Sequence, residues 1–359
     1  MLVAVLEVQH FRNLSQAVLK CSPGLNLIIG PNASGKTSLL EAIYFLGRAR
    51  SFRTRQLQEL IQLGANAFRI VATMQDPAGQ RSVPIGLERS AEALTARIDS
   101  VPVRSLTQLA TRVPVLLLNP DSHRLLEDGP SQRRRFMNWG VFHADQSFLD
   151  VWKRYENALR HRNAALRGHF DNRVVDAWDE ELGSTARAID RLRGAFCQDL
   201  KGALERLILA IMGITGIEVR YHRGWSQQED LMALLRSSRD QDRRYGYTRS
   251  GPHRADFQIT TAGRPISERF SRGQQKLLVI GLVLAQAQLY QRRQNNPCIL
   301  LIDDLPAELD PANRSRVMKY FAAMETQFFI TAIEANLLDV ASWRDASAFS
   351  IDHGEIVAK

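Results

Sequence analysis

The residues best suited to chemistry form a glycine-rich loop near the N-terminus. The segment Gly30-Pro31-Asn32-Ala33-Ser34-Gly35-Lys36-Thr37 matches the phosphate-loop pattern G-x-x-x-x-G-K-[ST]. Its glycines allow backbone angles that side chains forbid, so the loop can turn its N–H groups onto phosphate oxygens. Lys36 is then expected to bridge the β- and γ-phosphates, and Thr37 is expected to hold Mg²⁺. The motif predicts a binding site for a nucleoside triphosphate.

An acidic pair near the C-terminus supplies a second part of such a site. Residues 298–302 are apolar and partly β-branched, which suits a parallel strand that is buried on both faces. Asp303 follows at the ligand edge of an open α/β sheet and is the expected Mg²⁺ partner, acting through water. Asp304 comes next and is expected to orient or deprotonate the attacking water. The alternative for Asp304 is a solvated cap of a helix or loop.

A third motif lies shortly before the acidic pair. It is the segment Ser271-Arg272-Gly273-Gln274-Gln275-Lys276. A serine–glycine signature of this type has no role inside its own nucleotide site. Together and in this order, the three motifs indicate an ATPase head that works as a dimer.

The segments on either side of the phosphate loop have the pattern that the motif requires. Residues 25–29 read as a short buried strand, and residues 38–46 read as a helix that begins at Ser38. The N-terminal end of such a helix adds its positive dipole to the phosphate site. We therefore include Ser38 among the predicted nucleotide-binding residues.

The remaining sequence predicts three parts along the chain. Residues 1–121 contain strand patterns at 2–6, 68–74 and 82–88, with a turn at 76–79, and form the N-terminal part of the head. Residues 122–245 carry helical apolar stripes, which we interpret as core, and form a helical lobe. Residues 246–359 restore the sheet with the signature, the Asp303 strand and a closing strand at 348–351.

The longest helical stripe is interrupted by glycine. Apolar residues recur at helical spacing from Val175 to Ile211, whereas Gly183, Gly194 and Gly202 fall within the same span. Because glycine is a poor helix former, we expect bends or breaks there rather than one rigid rod.

Composition restricts the compartment and the class of partner. The 359 residues have a formal net charge of +9, which favours an anionic partner such as nucleic acid or an acidic membrane surface. The three cysteines form no C-x-x-C pair, which argues for a reducing compartment and against zinc or disulfides. The N-terminus lacks a signal-peptide pattern, and no apolar run is long enough to cross a bilayer. We expect a cytoplasmic protein without a membrane partner.

Several segments together resemble the RecF family of bacterial DNA-repair ATPases, which is related to the heads of SMC, Rad50 and ABC proteins. The resemblance rests on the phosphate loop, the signature and the acidic pair, and on narrower motifs spread along the chain. The narrower motifs are Phe11-Arg12-Asn13, Gly24-Leu25-Asn26, Gly129-Pro130-Ser131-Gln132-Arg133-Arg134-Arg135-Phe136, Arg162-Asn163-Ala164-Ala165-Leu166, Ser250-Gly251-Pro252-His253-Arg254-Ala255-Asp256 and Glu308-Leu309-Asp310. The resemblance implies an α/β fold, a P-loop ABC-type ATPase head with a β-rich lobe and an inserted helical lobe. The chain between Lys36 and Ser271 is too short for the long coiled coils of SMC and Rad50.

The resemblance also implies a mechanism. Two heads would meet head to tail and hold two Mg·ATP between them, with Ser271 of one subunit touching the γ-phosphate that Lys36 of the other binds. Gly273 would let the signature helix approach closely, and Arg12 would add a phosphate contact. ATP binding would favour the homodimer and DNA binding, and hydrolysis would release both. In this family the ATPase acts with RecO and RecR to load RecA at single-strand gaps, so gapped DNA or a single-strand/duplex junction is the expected ligand.

Two departures from related ATPases affect the expected rate. Asp304 stands where relatives carry glutamate and reaches one methylene less far, so we expect slow hydrolysis that suits a switch. The last core strand, residues 327–330, is followed by Thr331-Ala332 rather than by the usual histidine. The residue that senses the γ-phosphate is therefore unassigned by the sequence.

Other functions stay open at this point. Basic residues suited to DNA phosphates are found at the start of the helical region, although each taken singly is better explained as a solvated face. These residues are Arg133, Arg134, Arg135, Lys153, Arg154, Arg160, Arg162 and Arg167. The alternatives are an ATP-binding scaffold with negligible turnover, a P-loop small-molecule kinase that would not need Ser271, and a transporter energy subunit that would need a membrane partner.

Overall fold

The chain folds into two compact units. A computed structural model describes residues 1–358. The first unit contains residues 1–122 and the chain from residue 290 onward, and the second contains residues 123–289. Among residues 1–358, no helix combines the length and the apolar character that crossing a bilayer needs.

The first unit contains two six-stranded sheets. The strands that enter them are β1 (Leu2–Phe11), β2 (Leu14–Lys20), β3 (Leu25–Ile29), β4 (Ala67–Gln75), β5 (Ser82–Ser90), β6 (Leu94–Ile98), β7 (Val101–Pro102), β8 (Val115–Leu118), β12 (Ile299–Ile302), β13 (Gln327–Ala332), β14 (Ala346–Asp352) and β15 (Glu355–Ala358). The helices of this unit are α1 (Lys36–Arg48), α2 (Thr107–Arg112), α11 (Leu305–Glu308) and α12 (Pro311–Ala322).

One sheet is parallel except for its edge strand β15 and has the order β15-β14-β3-β13-β12-β8. Its strands β3, β12 and β13 are completely buried, which explains their nearly continuous apolar sequences. The carboxyl ends of β3 and β12 lie at the same edge, with β13 between them. This topology brings the phosphate loop and Asp303 to one edge of the sheet, and the predicted strands at 25–29 and 298–302 are confirmed.

The other sheet is antiparallel, with the order β2-β1-β4-β5-β6-β7. The predicted strands at 68–74 and 82–88 pair as β4 and β5, and Gly79 N–H donates to the Asp76 carbonyl (3.0 Å) in the predicted turn. The Gln327 side chain of β13 donates to the Val3 carbonyl and accepts from the Val3 N–H, both at 2.8 Å. This buried amide therefore links the two sheets at the point where the register of β1 shifts.

Helix α1 packs into the core that the two sheets share. Phe68 of β4 meets Phe11 and Phe45 edge to face, with ring centroids 4.9 Å and 5.3 Å apart. All three rings are fully buried. Because Phe45 lies on α1, this cluster fixes the helix that carries the phosphate loop at its N-terminus.

The second unit is mainly helical, as predicted, but it also contains a small sheet. Its helices are α3 (Arg124–Glu127), α4 (Pro130–Ala144), α5 (Ser147–Arg167), α6 (Asn172–Met212), α7 (Leu231–Ser237), α8 (Arg239–Tyr245), α9 (Ile266–Arg269) and the larger part of α10 (Arg272–Gln294). Its strands are β9 (Ile217–His222), β10 (Asp256–Thr261) and β11 (Arg264–Pro265), paired antiparallel in the order β11-β10-β9. The predicted helical lobe ended at residue 245, whereas this unit extends to residue 289. The reason is that β10 pairs with β9, which keeps the residues after 245 with the helices.

Helix α6 corrects one prediction. It runs unbroken for 41 residues through Gly183, Gly194 and Gly202, where we expected bends or breaks. Its apolar stripe from Val175 to Ile211 is buried along the whole length. Burial of that stripe outweighs a helix penalty of about 1 kcal/mol for each glycine.

The glycines of α6 allow a matched test of this explanation. Gly194→Ala should raise the free energy of unfolding by about 0.5–1 kcal/mol, because a Cβ there meets nothing within 4 Å and the backbone is already helical. Gly183→Ala should lose that gain, because its Cβ would lie 2.3 Å from the Met232 sulfur. Urea denaturation of both variants measures the difference. Destabilisation by Gly194→Ala would contradict an uninterrupted helix at that position.

Candidate nucleotide site

The phosphate loop joins β3 to α1 and requires glycine at two positions, for lack of space at Gly30 and for the backbone conformation at Gly35. A Cβ on Gly30 would lie 2.1 Å from the Ile351 carbonyl oxygen, so no side chain fits there. Gly35 has a φ of 121°, which side chains rarely adopt, and directly precedes α1. Residues 31–33 form the exposed crest of the loop. The loop thus has the strand–loop–helix setting that the motif requires.

Neighbouring segments hold the loop in place. Ser38 Oγ donates to Asn13 Oδ1 (2.8 Å), and Asn13 Nδ2 donates to the Ala33 carbonyl (3.3 Å). Gly354 N–H donates to the Ser34 carbonyl (2.9 Å). The buried Ser34 hydroxyl makes no hydrogen bond within residues 1–358. A phosphate oxygen in the loop would satisfy this hydroxyl, which otherwise carries a desolvation cost of about 1–3 kcal/mol.

Lys36 is buried at the base of the loop. Its ammonium donates to the carbonyls of Gly30 and Pro31, both at 2.7 Å. Burial lowers the pKa of Lys36, while the nearby carboxylates of Asp304 and Asp303 oppose this by favouring the charged form. The positive charge is therefore held inside the loop, where it suits the phosphates of a nucleotide.

Asp303 lies between two hydroxyl groups. Thr37 Oγ1 is 3.0 Å from both Asp303 carboxylate oxygens, and Thr331 Oγ1 donates to Asp303 Oδ1 at 2.9 Å. A hydroxyl and a carboxylate in contact offer the hard oxygen ligands that Mg²⁺ prefers. Residues 1–358 contain no group of three or more His, Cys, Asp or Glu side chains able to hold a metal. The pair fits a Mg²⁺ ion that takes its other ligands from phosphate and water.

Burial of the Asp303 carboxylate lowers the stability of the folded protein by an amount that depends on pH. Burial raises the pKa of Asp303, Asp304 adds to the rise, and hydrogen bonds from Thr331 and Thr37 oppose it together with the charge of Arg53. The charged carboxylate is thus destabilised by burial, and a divalent cation would compensate it.

Asp304 has a backbone conformation that few side chains adopt. Its φ is 52°, in the left-handed region, and its N–H donates to Thr331 Oγ1 (2.7 Å). Asp304 occupies the N-cap position of α11, where the cap alternative expects it, but its carboxylate makes no capping hydrogen bond. Thr331 bonds to both aspartates and occupies the end of β13, where the sequence lacked the expected histidine. The sequence signal for Thr331 was a hydroxyl group at the end of an apolar strand. Its two aspartate partners could be identified only once the order of the strands in the sheet was known.

Arg12 is engaged by a buried glutamate. Its Nε and Nη2 donate to the two oxygens of Glu41 at 3.0 Å and 3.1 Å, and its Nη1 donates to the Glu59 carbonyl at 3.1 Å. Ser51 Oγ also donates to Glu41, and Arg53 Nη1 lies 3.5 Å from it. The resemblance implied a phosphate contact for Arg12, and the structure shows that its guanidinium also neutralises Glu41, one turn beyond Thr37 on α1. Glu41, Ser51 and Arg53 were not identified from the sequence.

The signature segment begins helix α10 with a capping box. Ser271 Oγ accepts from the Gln274 N–H (3.3 Å), and Gln274 Oε1 accepts from the Ser271 N–H (3.0 Å). Ser271 and Gly273 are both exposed, and a Cβ on Gly273 would meet nothing within 4 Å. The helix N-terminus is therefore open to an approaching ligand.

Residues Gly251–Asp256, whose chemistry the sequence left undefined, bind the start of α4. Arg133 holds the Asp256 carboxylate through two hydrogen bonds of 2.7 Å and 3.0 Å. Arg134 Nη1 donates to the Ala255 carbonyl at 2.9 Å. Two arginines of the Arg133–Arg135 run therefore serve the fold of the second unit.

The middle of the same segment is anchored to α5 and α6. His253 Nδ1 lies 2.6 Å from the Tyr155 hydroxyl, and its Nε2 lies 2.9 Å from the Thr248 carbonyl. Burial lowers the pKa of His253 to about 4, so the ring is neutral at pH 7. Arg193, fully buried, donates to the Pro252 carbonyl at 2.7 Å. These contacts give His253 a structural role.

Arg162 is excluded as a surface contact for DNA. Its side chain is fully buried and bonds to Asp179 (2.5 Å) and Asp242 (2.9 Å). Arg154 is exposed but forms a bidentate pair with Glu181. The basic residues of the predicted set that are exposed without a carboxylate partner in the described chain are Arg135, Lys153, Arg160 and Arg167.

Because the charged Asp303 carboxylate is buried, replacing Asp303 should change the free energy of unfolding in a way that depends on pH. The folded protein holds the Asp303 proton more tightly than the unfolded chain, so ionisation at Asp303 lowers wild-type stability as pH rises above the ordinary aspartate value of 3.8. Without nucleotide, Asp303→Asn should therefore be more stable than wild type at pH 8, and the difference should shrink toward pH 4. Urea denaturation across this range measures the effect.

Asp310 provides the control. It is an exposed cap of α12 whose pKa is lowered by hydrogen bonds from the backbone and side chain of Asn313. The pKa shift of Asp310 is opposite in sign to that of Asp303, so Asp310→Asn should not raise the free energy of unfolding at pH 8. An Asp303→Asn variant less stable than wild type at pH 8 would contradict the account of the buried carboxylate.

Sequence comparisons find relatives along the whole chain. Residues 2–354 match the family model described as the RecF/RecN/SMC N terminal domain. The chain is 39% identical over 356 residues to a protein of Thioalkalivibrio sulfidiphilus named DNA replication and repair protein RecF, with 99% of each chain covered. It is 41% identical to a protein of the same name from Pseudomonas aeruginosa, with 98% of this chain and 96% of the relative covered.

Solved structures share the fold. A structure described as the recombination mediator protein RecF with ATP in the RecFOR pathway matches with a TM-score of 0.88 at 23% identity, covering 100% of this chain and 97% of that one. The Smc head domain from Pyrococcus furiosus matches with a TM-score of 0.62 at 16% identity, covering 100% and 96%. The predicted P-loop ATPase head of the ABC and SMC type is confirmed. Since its sequence relatives extend over nearly the full length, this chain belongs to the RecF family of ATPases.

Proposed function

We propose that this protein is an ATP-dependent DNA-binding protein of DNA replication and repair. In this proposal, ATP drives head-to-tail dimerisation, the dimer holds DNA, and slow hydrolysis releases it. The observation that carries the proposal is the contact of Thr37 with Asp303 at the phosphate loop, combined with a signature serine that is exposed on the other unit. One chain thus supplies a nucleotide pocket and, separately, the element that closes such a pocket in a second copy.

Each predicted site residue has a role in the proposal. Residues 30–38 would bind the ATP phosphates, with Lys36 as the charged contact, Thr37 as a Mg²⁺ ligand and Asp303 as the Mg²⁺ partner that acts through water. The ion supplies charge neutralisation at the phosphates. Ser271 and Gly273 of the partner copy contact the γ-phosphate. Arg12 reaches phosphate only with its remaining N–H donors, because Glu41 and the Glu59 carbonyl occupy the others.

Slow turnover follows from the groups near the attacking water. Asp304 is the proposed base and reaches one methylene less far than the glutamate of related ATPases. Thr331, which lacks an acid–base group, stands where a histidine is usual. Its hydroxyl is engaged by Asp303 and by the Asp304 N–H, so it positions both aspartates.

The DNA and protein partners are proposed from the relatives. Proteins named RecF function in DNA replication and repair, and one solved RecF belongs to the RecFOR pathway. We propose the same for this chain: action in the cytoplasm with RecO and RecR to promote RecA loading, at gapped DNA or a single-strand/duplex junction. The net charge of +9 favours the polyanion.

Two substitutions separate ATP binding from hydrolysis. Lys36→Met should abolish ATP binding and dimerisation, because it removes the charged phosphate contact while keeping a similar chain length. Asp304→Asn should bind ATP and accumulate as a dimer with hydrolysis reduced by at least about 100-fold, because asparagine tolerates the left-handed backbone but cannot accept the proton. Sedimentation with and without Mg·ATP, and then with a gapped duplex, measures both.

The outcomes distinguish the alternatives. Equal dimerisation of the two variants would contradict the switch. A wild-type protein that stays monomeric with ATP would favour the small-molecule kinase or the ATP-binding scaffold. These two differ in turnover, because only the kinase would hydrolyse or transfer phosphate from ATP when given its small-molecule acceptor.

A further inference from the structure

Three aromatic side chains are exposed together on the second unit. Phe170 lies in the turn between α5 and α6, and Tyr245 and Tyr247 flank the C-terminal end of α8. Their side chains are 55%, 60% and 43% exposed. Exposed rings of this size in one place are unusual on a protein surface and indicate a binding surface. We call these three residues the aromatic patch.

Arginine contacts tie the patch into one surface. Arg243 Nη2 donates to the Phe170 carbonyl (3.0 Å) and to Asn172 Oδ1 (2.7 Å), which joins α8 to the α5–α6 turn. Arg167 Nη1 donates to the carbonyl of Gly246, between the two tyrosines, at 3.1 Å. The patch is therefore supported by fixed backbone on both sides.

The two tyrosines and an arginine are in contact within it. The Tyr245 and Tyr247 rings are 6.0 Å apart, and the Arg249 guanidinium lies 5.1 Å from the Tyr245 ring centroid. The rings are thus partly ordered before any ligand binds, which lowers the entropic cost of stacking a further planar group on them.

The surroundings of the aromatic patch are basic. Arg173 and Arg244 are exposed and have no side-chain partner within residues 1–358. The nearby acids are largely engaged: Asp242 is buried against Arg162, and Asp171 caps α6. Asp171 and Asp240 are both exposed, and Asp240 Oδ1 lies 4.0 Å from Arg243 Nη1. Arg167, Arg173 and Arg244 give the surface its positive charge, whereas Arg243 and Arg249 lie beside the carboxylates of Asp240 and Asp242.

We propose that the aromatic patch and its arginines bind single-stranded DNA. Exposed aromatic rings stack on unpaired bases, and arginines between them contact the phosphates. A duplex keeps its base faces stacked inside and offers the rings nothing to stack on, so the patch distinguishes single strands from duplex. This inference deepens the proposed function, on which it rests for DNA as the ligand, and names which DNA form this surface takes.

Binding without nucleotide tests the patch. The full-length triple variant Phe170→Ala, Tyr245→Ala, Tyr247→Ala should bind a fluorescent single-stranded oligo-dT at least about tenfold more weakly than wild type by anisotropy. Its affinity for a duplex of the same length should not change. The double variant Tyr245→Phe, Tyr247→Phe keeps the rings and should bind like wild type. Leu209→Ala removes another exposed apolar side chain of α6 and should also have no effect.

The arginines give an independent readout. Arg173→Ala and Arg244→Ala should each reduce the slope of log Kd against log salt concentration for the single strand by about 0.7. If the triple variant binds oligo-dT as tightly as wild type, the proposal is overturned. The aromatic patch would then be better explained as a binding surface for another protein. Equal losses for single strand and duplex would overturn it as well. ATP-driven dimerisation, followed separately by sedimentation, tests the proposed function, so failure of one is distinguishable from failure of the other.

Discussion

The contact between Thr37 and Asp303 is the interaction on which the nucleotide site depends. It joins the first turn of α1 to the end of β12, although β13 lies between β3 and β12 in the sheet. Thr331, at the end of that intervening strand, completes the bridge. A carboxylate in such a buried position is destabilised until a cation compensates it, so under the proposed function the empty protein would be less stable in exchange for affinity toward Mg·ATP. The core of Phe11, Phe45 and Phe68 and the amide of Gln327 maintain the strand and helix positions that this contact requires.

The second unit uses arginine as a structural residue. Arg162 and Arg193 are fully buried, and Arg133 and Arg134 hold the Gly251–Asp256 segment. Removing one partner of such a buried charge leaves the other unpaired, which explains why these arginines and aspartates occur as a set. The number of arginines in the chain therefore overstates the number that DNA could contact. Exposed basic residues such as Arg135, Lys153 and Arg160 are open to a phosphate backbone.

The local features of the site and fold could be predicted from sequence, whereas features that depend on distant pairing could not. The phosphate loop, β3, β12 and the β4–β5 hairpin follow from glycine spacing and apolar runs. The roles of Thr331 and Glu41 depend on the strand order and on the position of Arg12, which no local pattern contains. The unbroken α6 was mispredicted, because propensity counts each glycine and omits the burial of the opposite face. The structural role of His253 likewise appears only once α5 and the Gly251–Asp256 segment are in contact.

The proposed function requires that Ser271 completes the nucleotide site of a second copy, and mixing two inactive variants tests this requirement. Lys36→Met and Ser271→Arg should each lack ATPase activity alone. In a mixed dimer, Lys36 from one subunit and Ser271 from the other form one intact site. Each mixed dimer should therefore have up to about half of the rate of a wild-type dimer. The rate should peak at an equal ratio of the two proteins. Activity that stays absent at every ratio, with mixed dimers present by sedimentation, would contradict a site shared between subunits.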